Sequence, residues 1–175
     1  MINNGQSNRT IKTIETMRSL FIGYLLLSTI NAFCQKKLPN KNIYLLNNSS
    51  SNIEKEIDNH KITIISFWAT WCVPCLNELD TINEVYEEWQ DELNIELIAI
   101  STDDSRSQKR VKALVNGKGW PYKVLLDKNQ ELKRALNIHT IPELIIVKGG
   151  KIIYRHSGYS PGFEDELYEI IKENS

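Results

Sequence analysis

The sequence predicts an α/β fold with a largely parallel sheet and an antiparallel edge. Three observations carry this expectation. Ile62–Trp68 is β-branched and nearly all apolar, the pattern of a central strand buried on both faces. Leu76, Leu79, Ile82, Val85, Trp89 and Leu93 then recur every three or four residues, which makes a long amphipathic helix directly after that strand. Beyond it, strand-like and helix-like stretches alternate, as in units that build parallel sheets.

The elements follow in chain order. Leu20–Ile30 is an apolar run of eleven residues, short of the roughly 20 that span a membrane. Arg18 precedes it, and Ala32 and Cys34 would fill the −3 and −1 positions of a cleavage before Gln35. A basic start, a short apolar core and small residues at the cut describe a secretory signal. We therefore read 1–34 as a signal peptide, with Met17 as an alternative start, 35–42 as a polar linker and 43–175 as the folded domain. An uncleaved segment, or a lipid on Cys34, would attach the protein to a membrane instead. Phe33 fits a lipidation signal poorly, so removal of Cys34 is preferred.

Ile43–Leu46 is a short strand, and Asn47–Asn52 is turn chemistry able to cap a helix through Ile57. Ile95–Ile100 is a second buried strand. Ser105–Asn116 reads as a helix stopped by Gly117 and Gly119. Tyr122–Leu126 is a strand and Asn129–Leu136 a short helix. Leu144–Val147 and Ile152–Tyr154 form a hairpin across Lys148-Gly-Gly-Lys151, and Phe163–Ile171 is the closing helix. The net charge of −1, with no long basic run, argues against a nucleic-acid partner.

The chemistry concentrates at Cys72-Val73-Pro74-Cys75, which holds two of the three cysteines. A zinc site needs a second ligand pair at finger-like spacing, and His60, His139 and His156 are scattered. Covalent haem attachment needs His after the second cysteine, where Leu76 stands. A structural disulfide closing so small a loop would restrict the unfolded chain little. A redox pair has a mechanism. A cysteine at a helix N-terminus faces N–H groups without intrahelical partners and the positive end of the helix dipole, so its thiolate is favoured. Cys72 should be that exposed thiolate, with Cys75 shielded one turn inside. Pro74 falls in the first turn, where its missing N–H costs little.

Phe67-Trp-Ala-Thr-Trp-Cys-Val-Pro-Cys75 resembles the active-site segment of thioredoxin-fold proteins, and the extended match resembles exported TlpA/ResA-type thiol–disulfide oxidoreductases. Glu78 matches an acidic residue frequent there. Ser101–Asp104, Gly119–Tyr122 and Leu126-Asp127 look like that group's central insertion. Thr140-Ile-Pro142 matches the cis-proline of the fold, and Gly149–Ile152 with His156–Gly158 matches its hairpin. The resemblance covers roughly 42–172. It implies a central mixed β-sheet flanked by helices, with an extra strand–helix insertion in the middle. It also implies dithiol–disulfide exchange at Cys72 and Cys75 without a cofactor or metal, and a proton-handling role for Glu78. Trp71, Val73, Pro74, Ile141 and Pro142 would contact the substrate. Implied partners are disulfide-containing exported proteins, apocytochrome c among them, and a membrane thiol/disulfide electron donor.

Two positions depart from the pattern. Ser66 stands where cytoplasmic thioredoxins bury an Asp, and Glu143 follows the proline where a small polar residue is commoner. Glu143 would either select cationic partners or, the preferred reading, point to solvent. Asp103 and Asp104 read as helix caps or solvated turn residues, Trp68 as core and His139 as a plain loop residue. A disulfide oxidant or isomerase, a thiol peroxidase, and a copper or zinc carrier using His139 are the alternative functions. A peroxidase of this fold would place Pro and Thr before a lone cysteine, whereas Ala69-Thr-Trp71 precede a pair.

Overall fold

A computed structural model describes residues 36–175; the proposed signal segment and Cys34 lie outside them. β1 (Asn42–Leu45) and β2 (Ser50–Asn52) form an opening hairpin, followed by the short helix α1 (Ile53–Glu56). β3 (Ile62–Trp68) leads into α2 (Val73–Leu93), and β4 (Ile95–Ser101) into α3 (Gln108–Lys118). β5 (Lys123–Leu126), α4 (Glu131–Ala135), β6 (Glu143–Lys148), β7 (Lys151–Ser157) and α5 (Phe163–Asn174) complete the chain.

The seven strands make one mixed sheet in the order β2-β1-β5-β4-β3-β6-β7. Only β5-β4-β3 is parallel. β1 runs antiparallel to both β2 and β5, and β6 runs antiparallel to β3 and β7. The sheet is thus less parallel than the alternation of elements suggested, because hairpins occupy both edges.

Every residue of β3 is buried, as its composition demands. Its alternate side chains feed two cores. Ile64 and Trp68 pack with Leu79, Ile82, Trp89, Leu167 and Ile171 from α2 and α5. Ile65 and Phe67 pack on the opposite face with Ile43, Ile53, Leu132 and Leu136. This two-residue period puts Ser66 on the α2 side of the sheet.

Local chemistry sets the element ends. The Asn52 side chain accepts a hydrogen bond from the Lys55 N–H at 3.1 Å and caps α1. α3 begins later than its polar start suggested, because the Asp104 carboxylate accepts from the N–H groups of Arg106 (3.0 Å) and Ser107 (3.1 Å) and holds a turn there. Gly149 and Gly150 take φ of 55° and 73°, the pair of left-handed conformations that a two-residue hairpin turn requires.

Within the stretch read as a linker, residues 36–38 dock along β7. The Leu38 N–H donates to the Gly150 carbonyl and the Ile152 N–H to the Lys36 carbonyl, each at 3.0 Å. Leu38 is 3% exposed, in the core on the face opposite α2. Leu38→Ala should therefore cost about 2 kcal/mol or more, as buried Leu truncations do. Urea unfolding would read this; a change within a few tenths of a kcal/mol, typical of surface substitutions, would mean the stretch is a free linker.

Candidate active site

β3 ends at Trp68 and α2 begins at Val73, so four residues carry the chain from sheet to helix. The Cys72 N–H donates to the Ala69 carbonyl at 3.0 Å, closing a turn, and the Leu76 N–H donates to the Cys72 carbonyl at 3.1 Å, opening the helix. Cys72 is the N-cap, and its side chain makes no capping bond. Pro74 sits in the first turn, which holds no acidic residue. The junction delivers the Cys72 sulfur to the positive end of a 21-residue helix.

Cys72 and Cys75 are joined as a disulfide, with S–S 2.02 Å and Cα atoms 5.3 Å apart. Cys75 is fully buried. Cys72 is only 4% exposed, so it is more covered than a freely exposed thiolate. The residues beside it are open: Trp71 is 68% and Val73 65% exposed, the large exposed apolar side chains among the described residues. Pro74 is exposed too. The pair therefore lies just beneath an apolar rim.

The loop before β6 closes the site's other side. The Ile141–Pro142 peptide is cis. Ile141 is half-buried and Pro142 buried. The Ile141 carbonyl oxygen lies 3.9 Å from the Cys72 sulfur. The Pro142 carbonyl accepts from the Gly158 N–H at 2.9 Å, which fixes the loop to the end of β7. His139 is exposed and forms no hydrogen bond with the pair.

Glu78 lies one turn beyond Cys75 on the buried face of α2, at 1% exposure. Its Oε1 accepts a hydrogen bond from the Ser66 hydroxyl at 2.7 Å, and its Oε2 has no protein partner. Burial pushes its pKa up to about 7; the Ser66 bond opposes the rise and the charge of Glu143 adds to it. Ser66 and Glu78 together thus supply a buried carboxyl group at the strand–helix crossing.

Two readings from sequence need correction. Glu143 does not point to solvent: it is 4% exposed, and its Oε1 accepts from Arg155 Nε (3.0 Å) and Nη2 (2.7 Å). Its other oxygen accepts from the Ser157 hydroxyl. The carboxylate braces the start of β6 against β7, which also leaves it unavailable to recognise a cationic partner. Asp103 is likewise neither a helix cap nor a solvated residue. It is 5% exposed, and its carboxylate accepts from the Thr70 N–H (2.9 Å), the Thr70 hydroxyl (2.7 Å) and the Ser101 hydroxyl (2.9 Å). Sequence reasoning missed this contact with the loop before Cys72. The one available signal was a short run of small polar residues after a buried strand. Trp68 is core, as expected, in edge-to-face contact with Trp120 at 5.2 Å.

The sequence model of the AhpC/TSA family matches residues 34–155, most of the chain. The chain belongs to that family. Among similar curated members, "Thiol-disulfide oxidoreductase ResA" of Bacillus thuringiensis is 33% identical over 94 residues, 53% of each chain. The match thus spans about half the length of that relative. The ResA of Halalkalibacterium halodurans is 26% identical across 91% of this chain and 92% of its own. A thioredoxin-like protein from Porphyromonas gingivalis, solved in solution, is 44% identical with a TM-score of 0.70, covering 78% of this chain and 90% of that one. The thioredoxin-like fold expected from the motif is thereby established, and the likeness to ResA-type proteins is met in these curated relatives.

The buried acid of this family member should reveal itself in stability. Glu78 has a folded-state pKa near 7, above the ordinary 4.5. Its favourable contribution is complete below about pH 4.5 and lost as pH rises through 7, because the fold must then bury a charge. Oxidised wild type should lose stability between pH 5 and pH 8 by on the order of 3 kcal/mol more than Glu78→Gln does. Denaturant titrations at the two pH values measure this; parallel losses would place Glu78 in an ordinary solvated environment.

Proposed function

We propose that this protein is a thiol–disulfide oxidoreductase that reduces disulfides of exported proteins by dithiol–disulfide exchange at Cys72 and Cys75. The observation that carries the reading is the bonded pair at the N-terminus of α2, beneath an apolar rim and beside the Ile141 carbonyl. In the reduced protein the Cys72 thiolate attacks one sulfur of a substrate disulfide, and the other substrate sulfur leaves as a thiolate. Cys75 gives up its proton and attacks the Cys72 sulfur. The second substrate thiol is released, and the pair closes with two electrons passed to the substrate.

Each neighbouring group has a part in that sequence. The helix N-terminus stabilises the attacking thiolate. Trp71, Val73 and Pro74 offer apolar contact to the substrate chain, and Ile141 with Pro142 lines the opposite wall. Glu78, buried one turn from Cys75 with a pKa near neutrality, holds or accepts a proton as Cys75 becomes a nucleophile. Arg18, the short apolar run and Ala32/Cys34 support export through a signal peptide, with the folded residues from Lys36 onward as the catalytic domain. Re-reduction then requires a thiol/disulfide electron donor at the membrane, and apocytochrome c is one candidate client. The disulfide between Cys72 and Cys75 favours this reading over a peroxidase built on a lone cysteine.

Cys75→Ser should accumulate mixed disulfides between Cys72 and client proteins, and Cys72→Ser should not. Non-reducing electrophoresis followed by mass spectrometry of the adducts distinguishes them. Equal trapping by both variants, or by neither, would refute the assigned order of attack.

A further inference from the structure

We propose that Asp103 is a positioning residue for the dithiol: its carboxylate clamps Thr70 and so holds Cys72 at the N-terminus of α2. Its effect on turnover rests on the exchange chemistry proposed above; the clamp itself does not. Thr70 is the second residue before Cys72, inside the turn that the Cys72 N–H closes on Ala69. Asp103 accepts from both the backbone N–H and the hydroxyl of Thr70, and from Ser101 beside it. The adjacent residue adds a second tie, for the Thr102 N–H and hydroxyl both donate to the Trp68 carbonyl, at 2.8 and 3.1 Å. The end of β4 thereby fixes the chain on both sides of Ala69.

The residue types fit that task. A carboxylate buried to 5% exposure is costly unless its lone pairs are used, and three donors converge on this one. Those donors come from the active-site turn and from the Ser101 hydroxyl beside it, none from a cation. Thiol–disulfide exchange needs three sulfurs in line, and a misplacement of about 1 Å costs reactions of this kind on the order of 100-fold. Trp71 and Cys72 follow the clamped residue directly, so the clamp sets both the apolar rim and the sulfur.

The test compares Asp103→Ala with Asp103→Asn in a Cys75→Ser background, following iodoacetamide alkylation of Cys72 against pH. Both variants are uncharged, so the difference between them reports geometry rather than the loss of a carboxylate. Asn keeps an oxygen for the Thr70 N–H, and Ala keeps none. The Cys72 thiol should titrate about half a pH unit higher in Asp103→Ala, a roughly threefold weaker acid, because it drifts from the helix N–H groups. Should Asp103→Ala fail to fold, Thr70→Val against Thr70→Ser asks the same question at one bond, with a smaller shift in the same direction. Coincident titrations within the folded pair would overturn the proposal. Alkylation needs no disulfide substrate, so a wild type that reduces no disulfide would sink the proposed function while the titration still decides the clamp.

Discussion

The structure depends on one junction, where a strand buried on both faces passes in four residues into the first turn of a long helix. A strand such as β3 can lie only at the centre of the sheet, because its side chains need cover from both layers. The helix that follows must pack its apolar face back onto that sheet, which leaves its N-terminus outward, past the C-terminal end of β3. Backbone N–H groups without helical partners collect there. A sulfur at the N-cap meets them without further design, and a second sulfur three residues on lies one turn inside. Position on the fold, rather than any neighbouring cation, gives Cys72 and Cys75 their different surroundings, and the proposed division of labour rests on that difference.

The same junction explains the acid. Ser66 is a polar residue in a strand with no exposed face, so its hydroxyl needs a partner inside the protein. Glu78 supplies it from the facing turn of α2. One hydrogen bond does not offset burial of a carboxylate, and the Glu78 pKa rises towards neutrality. A group that exchanges its proton near pH 7 beside a buried thiol suits a reaction in which that thiol must ionise briefly. Glu143 adds negative charge from the other side of the site, yet is itself secured by Arg155 and Ser157. Two buried carboxyl groups thus differ in their partners, one hydroxyl for Glu78 and a guanidinium with a hydroxyl for Glu143.

Much of this was legible in the sequence. β3, the length of α2, the glycine hairpin and the cysteine pair are local patterns, written in residues close along the chain. What escaped was set by residues far apart. Asp103 lies 33 positions from Thr70, and the short polar run around it does not name that partner. Glu143 reads as a surface charge until β7 places Arg155 across from it. Leu38 sits in a polar stretch, and only the β6–β7 turn shows why it is buried. The antiparallel edge formed by β1 and β2 escaped for the same reason, since alternation of elements says nothing about which strands meet.

Direction of electron flow is the point on which the functional reading stands. Val73 and Pro74 bring no cation to the Cys72 thiolate, and Glu78 and Glu143 bring carboxyl groups nearby, so the reduced pair gains little of the stabilisation that makes an oxidant. Equilibration of the protein with a glutathione or dithiothreitol series measures the balance directly. A reductase requires a potential near that of thioredoxin, about −270 mV, whereas a value above roughly −180 mV, in the isomerase range, would contradict it.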